Sequence, residues 1–473
     1  MDILRLPVVG TLLRRRRLRL SLQLGLLAIA VAIVLHGLLG PQIAPRNLAT
    51  VLTSIHWRGL LLVAILLAGN LFCMACPMVL ARDAGRRLIR PRLAWPRRLR
   101  RKWLGLGLLV VVLFSYELLG LWERPRATAL LVLGYFALAL AVDLRFQGAA
   151  FCKYVCPIGQ FNFVASTMAP AEVQVRRADT CRACRTSDCV KGRRSAVEPA
   201  RIERRGCELG LFLPAKVGNL DCTFCLDCVQ ACPHDNVAIA TRVPGLELLE
   251  TRRRSAIGRL TRRYDLAVLA VVFMFASLLT AFAMTGPART ARLRLGGFVS
   301  LESEGIGLAL LFVAGLALLP GALLGGAAAL ARASVQSRAP LVPSAAPYVL
   351  ALVPLGFGIW LGHYGFHLLT GLLTIVPVSQ SAAIDFLGQP VLGEPAWSLA
   401  GLYPGSVFPV QLGFVLLGAL GSLGLVCATS QREYPERAAA ASAPWVTVVV
   451  LLTAAAVWIF QQPMDMRGVG SSG

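Results

Sequence analysis

Residues 222–233 read CTFCLDCVQACP. Four cysteines, Cys222, Cys225, Cys228 and Cys232, follow the spacing C-x2-C-x2-C-x3-C, and Pro233 comes directly after the last. That run is the ligand pattern of bacterial 4Fe–4S sites. Three thiolates from one tight loop hold one cluster, and the fourth reaches a second cluster. A zinc site would instead use two Cys-x2-Cys pairs separated by a dozen or more residues. The stretch predicts a two-cluster fold with a partner run nearby.

The partner is CRACRTSDCV, with Cys181, Cys184 and Cys189, and Cys207 follows after a long insertion, KGRRSAVEPARIERRG. In a two-cluster ferredoxin the fourth cysteine of each run ligates the other cluster. The expected ligand sets are therefore Cys181, Cys184, Cys189 and Cys232 for one cluster, and Cys207, Cys222, Cys225 and Cys228 for the other. Arginines crowd this segment (RRADTCRACR, KGRRS, RIERR). Such a surface attracts an acidic redox partner.

Outward from this segment the chain becomes apolar. Of 473 residues 56% are hydrophobic, and the mean hydropathy is +0.66. Several runs reach the ~20 apolar residues that cross a hydrocarbon core. The net charge of +24 does not point to nucleic acid, because no basic stretch is interleaved with stacking aromatics. The arginines sit between apolar runs, as in the cytoplasmic loops of a membrane protein.

The hydropathy places nine spans near 19–41, 59–80, 103–122, 127–145, 264–286, 305–332, 346–376, 407–430 and 444–461. The expected fold class is a predominantly α membrane protein of about nine transmembrane helices in two bundles, flanking a two-cluster ferredoxin segment. The expected domains are 1–165 (four helices), 166–262 (ferredoxin) and 263–473 (five helices). LLRRRRLRL before the first span, the basic stretch 81–103 and the basic end of 146–263 put the N-terminus and the cysteine segment in the cytoplasm. The C-terminus falls outside, and the location is the cytoplasmic (inner) membrane. The first apolar run is too long for a signal peptide and reads as an anchor.

Two further cysteine pairs flank the spans. FCMACPMV carries Cys73 and Cys76, and FCKYVCPIGQF carries Cys152 and Cys156. Both pairs fall at the cytoplasmic rim, and both end in Cys-Pro. Spacings of three and four place each pair on one helix face, and the proline disfavours helix just before it. Four thiolates there can hold a third cluster or copper(I), or cycle with disulfides. Cys427, alone in the eighth span, reads as a small apolar side chain.

Membrane Cys-Pro pairs followed by a two-cluster ferredoxin resemble the membrane polyferredoxins of the NapH/NosR/CcoG type. The resemblance covers about residues 59–240. It implies electron transfer between the quinol pool or a cytoplasmic donor and a partner reductase, or metal reduction during assembly of a copper enzyme. This chain departs from the family in its first pair, Cys-x2-Cys-Pro in place of Cys-x3-Cys-Pro. It departs also in its interrupted first run and in its five-helix C-terminal bundle.

That bundle contains WLGHYGFHLLTG, with His363 and His367 one helical turn apart and near mid-membrane. Ionisable groups at such depth are functional candidates. One helix cannot place both on opposite faces of one haem b. They can bind copper or a quinone headgroup, each with other partners, and His36 is a candidate partner. Glu117 is placed to move quinol protons, Asp143 reads as interfacial, and Met464 with Met466 offers a thioether pair for copper(I). Taken together, the sequence predicts an electron-transfer component of an oxidoreductase system, working in the lipid bilayer with the quinone pool or a redox protein. A copper reductase or metal-handling protein is the alternative.

Overall fold

The computed structural model describes residues 1–195, 197–198, 202–298 and 304–463. Met464 and Met466 lie outside them. Helix dominates, and among the described residues only four short strands form. Among the described residues, seven helices are long and apolar enough to cross a membrane, or eight if the bent pair Leu341–Leu350 and Val353–Thr370 counts as one span. The protein is therefore a multi-pass membrane protein.

The expected boundaries shift for identifiable reasons. The second span runs Leu48–Leu67, not 59–80. Its first turns include a π-helical stretch, Leu52–Trp57. It stops where Gly69 takes a φ of +136°, a backbone state that glycine reaches without strain. Cys73 and Cys76 consequently lie beyond the span. The expected span 103–122 is a 16-residue helix, Trp103–Leu118, shorter than the others. The expected span 346–376 bends by 45° at Ala351–Leu352, three residues ahead of Pro354. There Ser422 Oγ accepts the Leu355 N–H at 3.0 Å, taking a donor that the broken ladder leaves over. The stretch 377–406, expected as a connection, contains most of a helix, Ile375–Leu387.

The chain divides into two compact units, each gathered from separated stretches. One comprises Met1–Ile29, Ala64–Leu108 and Tyr135–Leu266. The other comprises Ala30–Val63, Leu109–Gly134 and Ala267–Gly473.

In the first unit, strand β1 (Ala171–Val175) pairs antiparallel with the late strand of the cysteine segment, Val237–Thr241, with Ala171 opposite Thr241. Between them in sequence lie β2 (Arg193–Arg194) and β3 (Ile202–Arg204), an antiparallel pair, so the late strand is β4. Val173, Val237 and Ile239 pack with Leu213, Phe224, Leu226 and Val229 in one core under the cysteine loops. The N-terminal residues join this core through Leu4. Asp2 bridges Ala240, and the Thr241 N–H donates to the Met1 carbonyl at 3.1 Å. The start of the chain thus covers the open edge of β4, which would otherwise leave ladder groups unpaired.

In the second unit, nearly every side chain of Val353–Thr370 is buried. A helix apolar all round belongs at a centre. It packs on Pro404–Glu433 through glycines on both sides. A Cβ at Gly358 would meet the Phe414 carbonyl oxygen at 2.3 Å, and one at Gly418 would meet the Pro354 carbonyl oxygen at 2.6 Å. Small residues let two membrane helices bring their backbones together.

Candidate metal centres

Twelve of the thirteen cysteines gather into three groups of four in the first unit, and all thirteen are free thiols. Cys427 stands apart, exposed on the outside of Pro404–Glu433.

The first group is Cys181, Cys184, Cys189 and Cys232. All four line one surface cavity, with Val175, Leu213 and Pro233 around them. Asn236 supports two of the sulfurs. Its Nδ2 donates to Cys181 Sγ at 3.2 Å, and its backbone N–H donates to Cys232 Sγ at 3.4 Å. The Cys184 thiol is drawn down to about 7 by hydrogen bonds from the Ser187 backbone and the Thr186 hydroxyl. Cys189 goes up to about 11, through burial and the neighbouring thiols of Cys232, Cys181 and Cys184.

The second group is Cys207, Cys222, Cys225 and Cys228. Cys207 and Cys222 are electrostatic neighbours, as are Cys207 and Cys225, and Cys228 neighbours both Cys207 and Cys222. The Leu211 N–H donates to Cys207 Sγ at 3.3 Å. The long insertion does not disturb this group, because β2 and β3 fold it into a hairpin. The Cys207 N–H returns to the Cys189 carbonyl at 2.8 Å. Glycines close the neck. A Cβ at Gly206 would meet the Val190 carbonyl oxygen at 2.3 Å, and one at Gly192 would meet the Arg204 carbonyl oxygen at 2.7 Å. A hairpin looped out between Cys189 and Cys207 thus brings the two ends of the interrupted run together.

The two runs also repeat in backbone conformation. Ser187 and Leu226 both hold left-handed φ (54° and 61°), each just before a short helix that starts Asp-Cys-Val. Asp221 and Phe224 are left-handed too. Non-glycine residues in this region each cost on the order of 1–3 kcal/mol. Alternating right- and left-handed residues turn successive N–H groups into one concavity, which suits an anion. The Asp-Cys-Val repeat was visible in the sequence. The left-handed residues carried no signal there.

The third group is Cys73, Cys76, Cys152 and Cys156. Each pair was expected on one helix face, and the structure corrects this. Cys73 sits in the short helix Leu71–Met74, and Cys76 caps the next helix, Pro77–Leu88. Cys152 lies in a π-helical turn, Phe151–Val155, and Cys156 caps Pro157–Ala165. In both motifs the proline is the first helical residue, where its missing N–H costs nothing. The cysteine before it leaves helical conformation, so the two cysteines of each pair sit on different elements. Cys156 Sγ accepts the Gly159 N–H at 3.0 Å and is hydrogen-bonded to the Tyr135 hydroxyl at 2.6 Å. Asn162 Nδ2 lies 3.5 Å from Cys73 Sγ. Cys73 has Cys156 and Cys76 as electrostatic neighbours, and Cys152 has Cys156 and Cys76. Burial raises these thiols, Cys76 to about 11 and Cys156 to about 12. A metal bound here must displace their protons.

Polar links join the second and third groups. Asn70, beside Cys73, donates from Nδ2 to the Cys222 carbonyl at 3.2 Å. Lys102 Nζ reaches the Lys153 carbonyl at 2.8 Å and Asp221 Oδ1 at 2.5 Å. Lys153 Nζ reaches the Leu209 carbonyl at 2.6 Å. Glu208 receives Arg19 at 2.8 Å and Arg82 at 3.2 Å. Burial alone would raise its carboxyl, but the two guanidiniums hold it down at about 2. Arg19 also clasps Asp227 through Nη1, 2.8 Å from both carboxylate oxygens.

The donor chemistry of all three groups suits iron–sulfur clusters. Four thiols per group is the number a 4Fe–4S cluster takes, and among the described residues no group of three or more His, Cys, Asp or Glu side chains is placed to hold a single metal ion. Around the third group the carboxamide oxygens of Asn70, Gln160 and Asn162 are buried without a hydrogen-bond partner. Such orphaned atoms are rare in plain packing.

The remaining candidates fall elsewhere. His36 does not partner His363 and His367. Its Nδ1 accepts the Leu48 N–H at 3.0 Å, and its Nε2 therefore donates to Asp385 Oδ2 at 2.9 Å. Both ring nitrogens are thus taken by protein groups. Asp143 lies two residues from the end of Pro125–Arg145 and is buried, and its Oδ1 accepts the Phe151 N–H at 2.9 Å, which anchors the Cys152 turn. Glu117 is buried in the second unit, where Arg58 stacks 3.8 Å from the ring centre of its neighbour Tyr116. His363 and His367 are both buried and face Met284. Comparison of the chain with protein-family models, curated proteins and solved structures gives no match.

Proposed function

We propose that this protein is a membrane-bound iron–sulfur electron-transfer protein of the polyferredoxin kind. It carries 4Fe–4S clusters on its three groups of four cysteines and relays electrons between the quinol pool or a cytoplasmic donor and a redox partner. One observation carries the reading: twelve cysteines, scattered from Cys73 to Cys232, assemble into three adjacent groups of four.

A bound 4Fe–4S cluster supplies a one-electron carrier whose potential follows net charge, hydrogen bonds to sulfur and solvent exposure. The chain's own residues set those terms. Asn236, Leu211, Gly159 and Asn162 direct N–H groups at cysteine sulfurs. Arg19 and Arg82 place positive charge beside the second and third groups. The first group opens to the surface among exposed arginines, such as Arg182 and Arg204, and so faces a soluble acidic partner. The third group, just past the end of a membrane span, is the natural exchange point with the membrane phase.

The test is iron content and electron paramagnetic resonance of the purified chain. The reading expects about twelve irons per chain, four per cluster. Cys207→Ala should lose the second cluster and retain the other two. Full iron in that variant, or no iron in the parent, would refute it.

A further inference from the structure

We propose that His363, His367 and Met284 form a buried copper(I) site in the second unit. His363 Nε2 lies 3.0 Å from Met284 Sδ, and His367 Nε2 lies 3.3 Å from the same sulfur. The three side chains are 2%, 4% and 2% exposed.

The local fold explains the convergence. His363 and His367, four residues apart, share one face of Val353–Thr370. Met284 follows the end of Tyr264–Phe282 in a turn closed by the Thr285 N–H on the Phe282 carbonyl at 2.9 Å. Thr280 Oγ1 donates to the Ala276 carbonyl at 2.7 Å, so its lone pairs face His363 Nδ1 at 3.5 Å. A proton on Nδ1 satisfies that contact and leaves Nε2 as the ring nitrogen on the Met284 side. Trp360 and Tyr364 wall the His363 ring, with centroids at 6.3 Å and 4.9 Å.

The chemistry selects the ion. Two imidazoles and a thioether are neutral, and the sulfur is soft, a set suited to copper(I) over hard cations. A monovalent ion also leaves the smaller charge in an apolar interior, where uncompensated charge is costly. Haem is disfavoured, since both nitrogens come from one helix face. With metal–nitrogen bonds of ~2.0 Å and a metal–sulfur bond of ~2.3 Å, trigonal donors stand ~3.7 Å apart. Met284 Sδ would draw back by about 0.7 Å from His363 Nε2 and about 0.4 Å from His367 Nε2, a movement that a flexible methionine allows.

This site does not depend on the iron–sulfur reading. The full-length protein, extracted in detergent with its iron retained, is loaded anaerobically with copper(I) against a chromophoric copper(I) chelator. Copper X-ray absorption then reports the ligands. One retained copper with two imidazole nitrogens and one sulfur is expected. Met284→Leu, close in volume, should remove the sulfur and weaken binding at least tenfold, and His367→Gln should remove a nitrogen. No retained copper, or an all-sulfur shell unchanged in both variants, overturns the proposal. The parent's spectrum decides even if a variant fails to fold. Iron counted in the same sample tests the electron-transfer reading separately.

Discussion

Glu247 shows how single residues hold the cysteine loops in place. It is buried, receives the Asn219 and Leu220 N–H groups at 2.7 and 3.2 Å, and pairs with Arg242 and Arg254. Burial alone would raise its carboxyl, but Arg242 and Arg254 hold it below the usual carboxylate range. A group with a depressed folded pKa stabilises above its unfolded value, near 4.3, and loses that stabilisation as pH falls through the folded value. Removing one partner of a buried charged network leaves the others uncompensated. Glu247→Gln is therefore expected to destabilise the first unit by about 3 kcal/mol at neutral pH, measured by thermal or denaturant unfolding. Its deficit against the parent should shrink in acid. Gly218 has a φ of +63°, and a Cβ there would strike the Glu247 carboxylate. The sequence shows an ordinary Gly-Asn pair at this point and gives no hint of the carboxylate above it.

At the scale of elements, the hairpin between Cys189 and Cys207 is the most informative. From spacing alone the first run looks broken. The antiparallel pairing of β2 and β3 returns Cys207 to Cys189. Gly206→Ala forces its Cβ against the Val190 carbonyl, and backbone cannot give way as a side-chain tip can. We expect Cys207 to be displaced and iron to fall from about twelve toward about eight per chain, read by iron assay, with the EPR signal of the other clusters preserved. The Cys-Pro motifs act at this scale as well. Each proline starts a helix and each preceding cysteine caps it. The rule that proline disfavours helix before it anticipated the break. It did not say that the two cysteines of a pair would sit on different elements.

At the scale of the molecule, the N-terminal strand pairing ties Met1 and Asp2 to the edge of β4. The start of the chain and the cysteine segment are thus held together in the first unit, and the arginine distribution proposes the cytoplasmic side for both. Trypsin should cut the exposed, arginine-rich hairpin at β3 in inside-out vesicles and spare it in right-side-out ones. Protection in inside-out vesicles, with cleavage in the others, would reverse the proposed orientation. Both compact units draw on stretches far apart in the chain, so the apolar runs read along the sequence do not map one to one onto packing units.

By itself the sequence determined that the chain crosses a membrane many times and that its cysteines come in short-spaced runs. Length, hydropathy and ligand spacing are local properties, written in consecutive residues. It also determined that two more thiol pairs lie next to the spans. Tertiary structure alone decided that those pairs meet, that a looped-out hairpin brings Cys207 home, and that His36 turns to Asp385 while His363 and His367 turn to Met284. Those outcomes depend on contacts between residues from 18 to 349 positions apart. No short-range spacing encodes them, because what places each side chain is the packing of the helices that carry it.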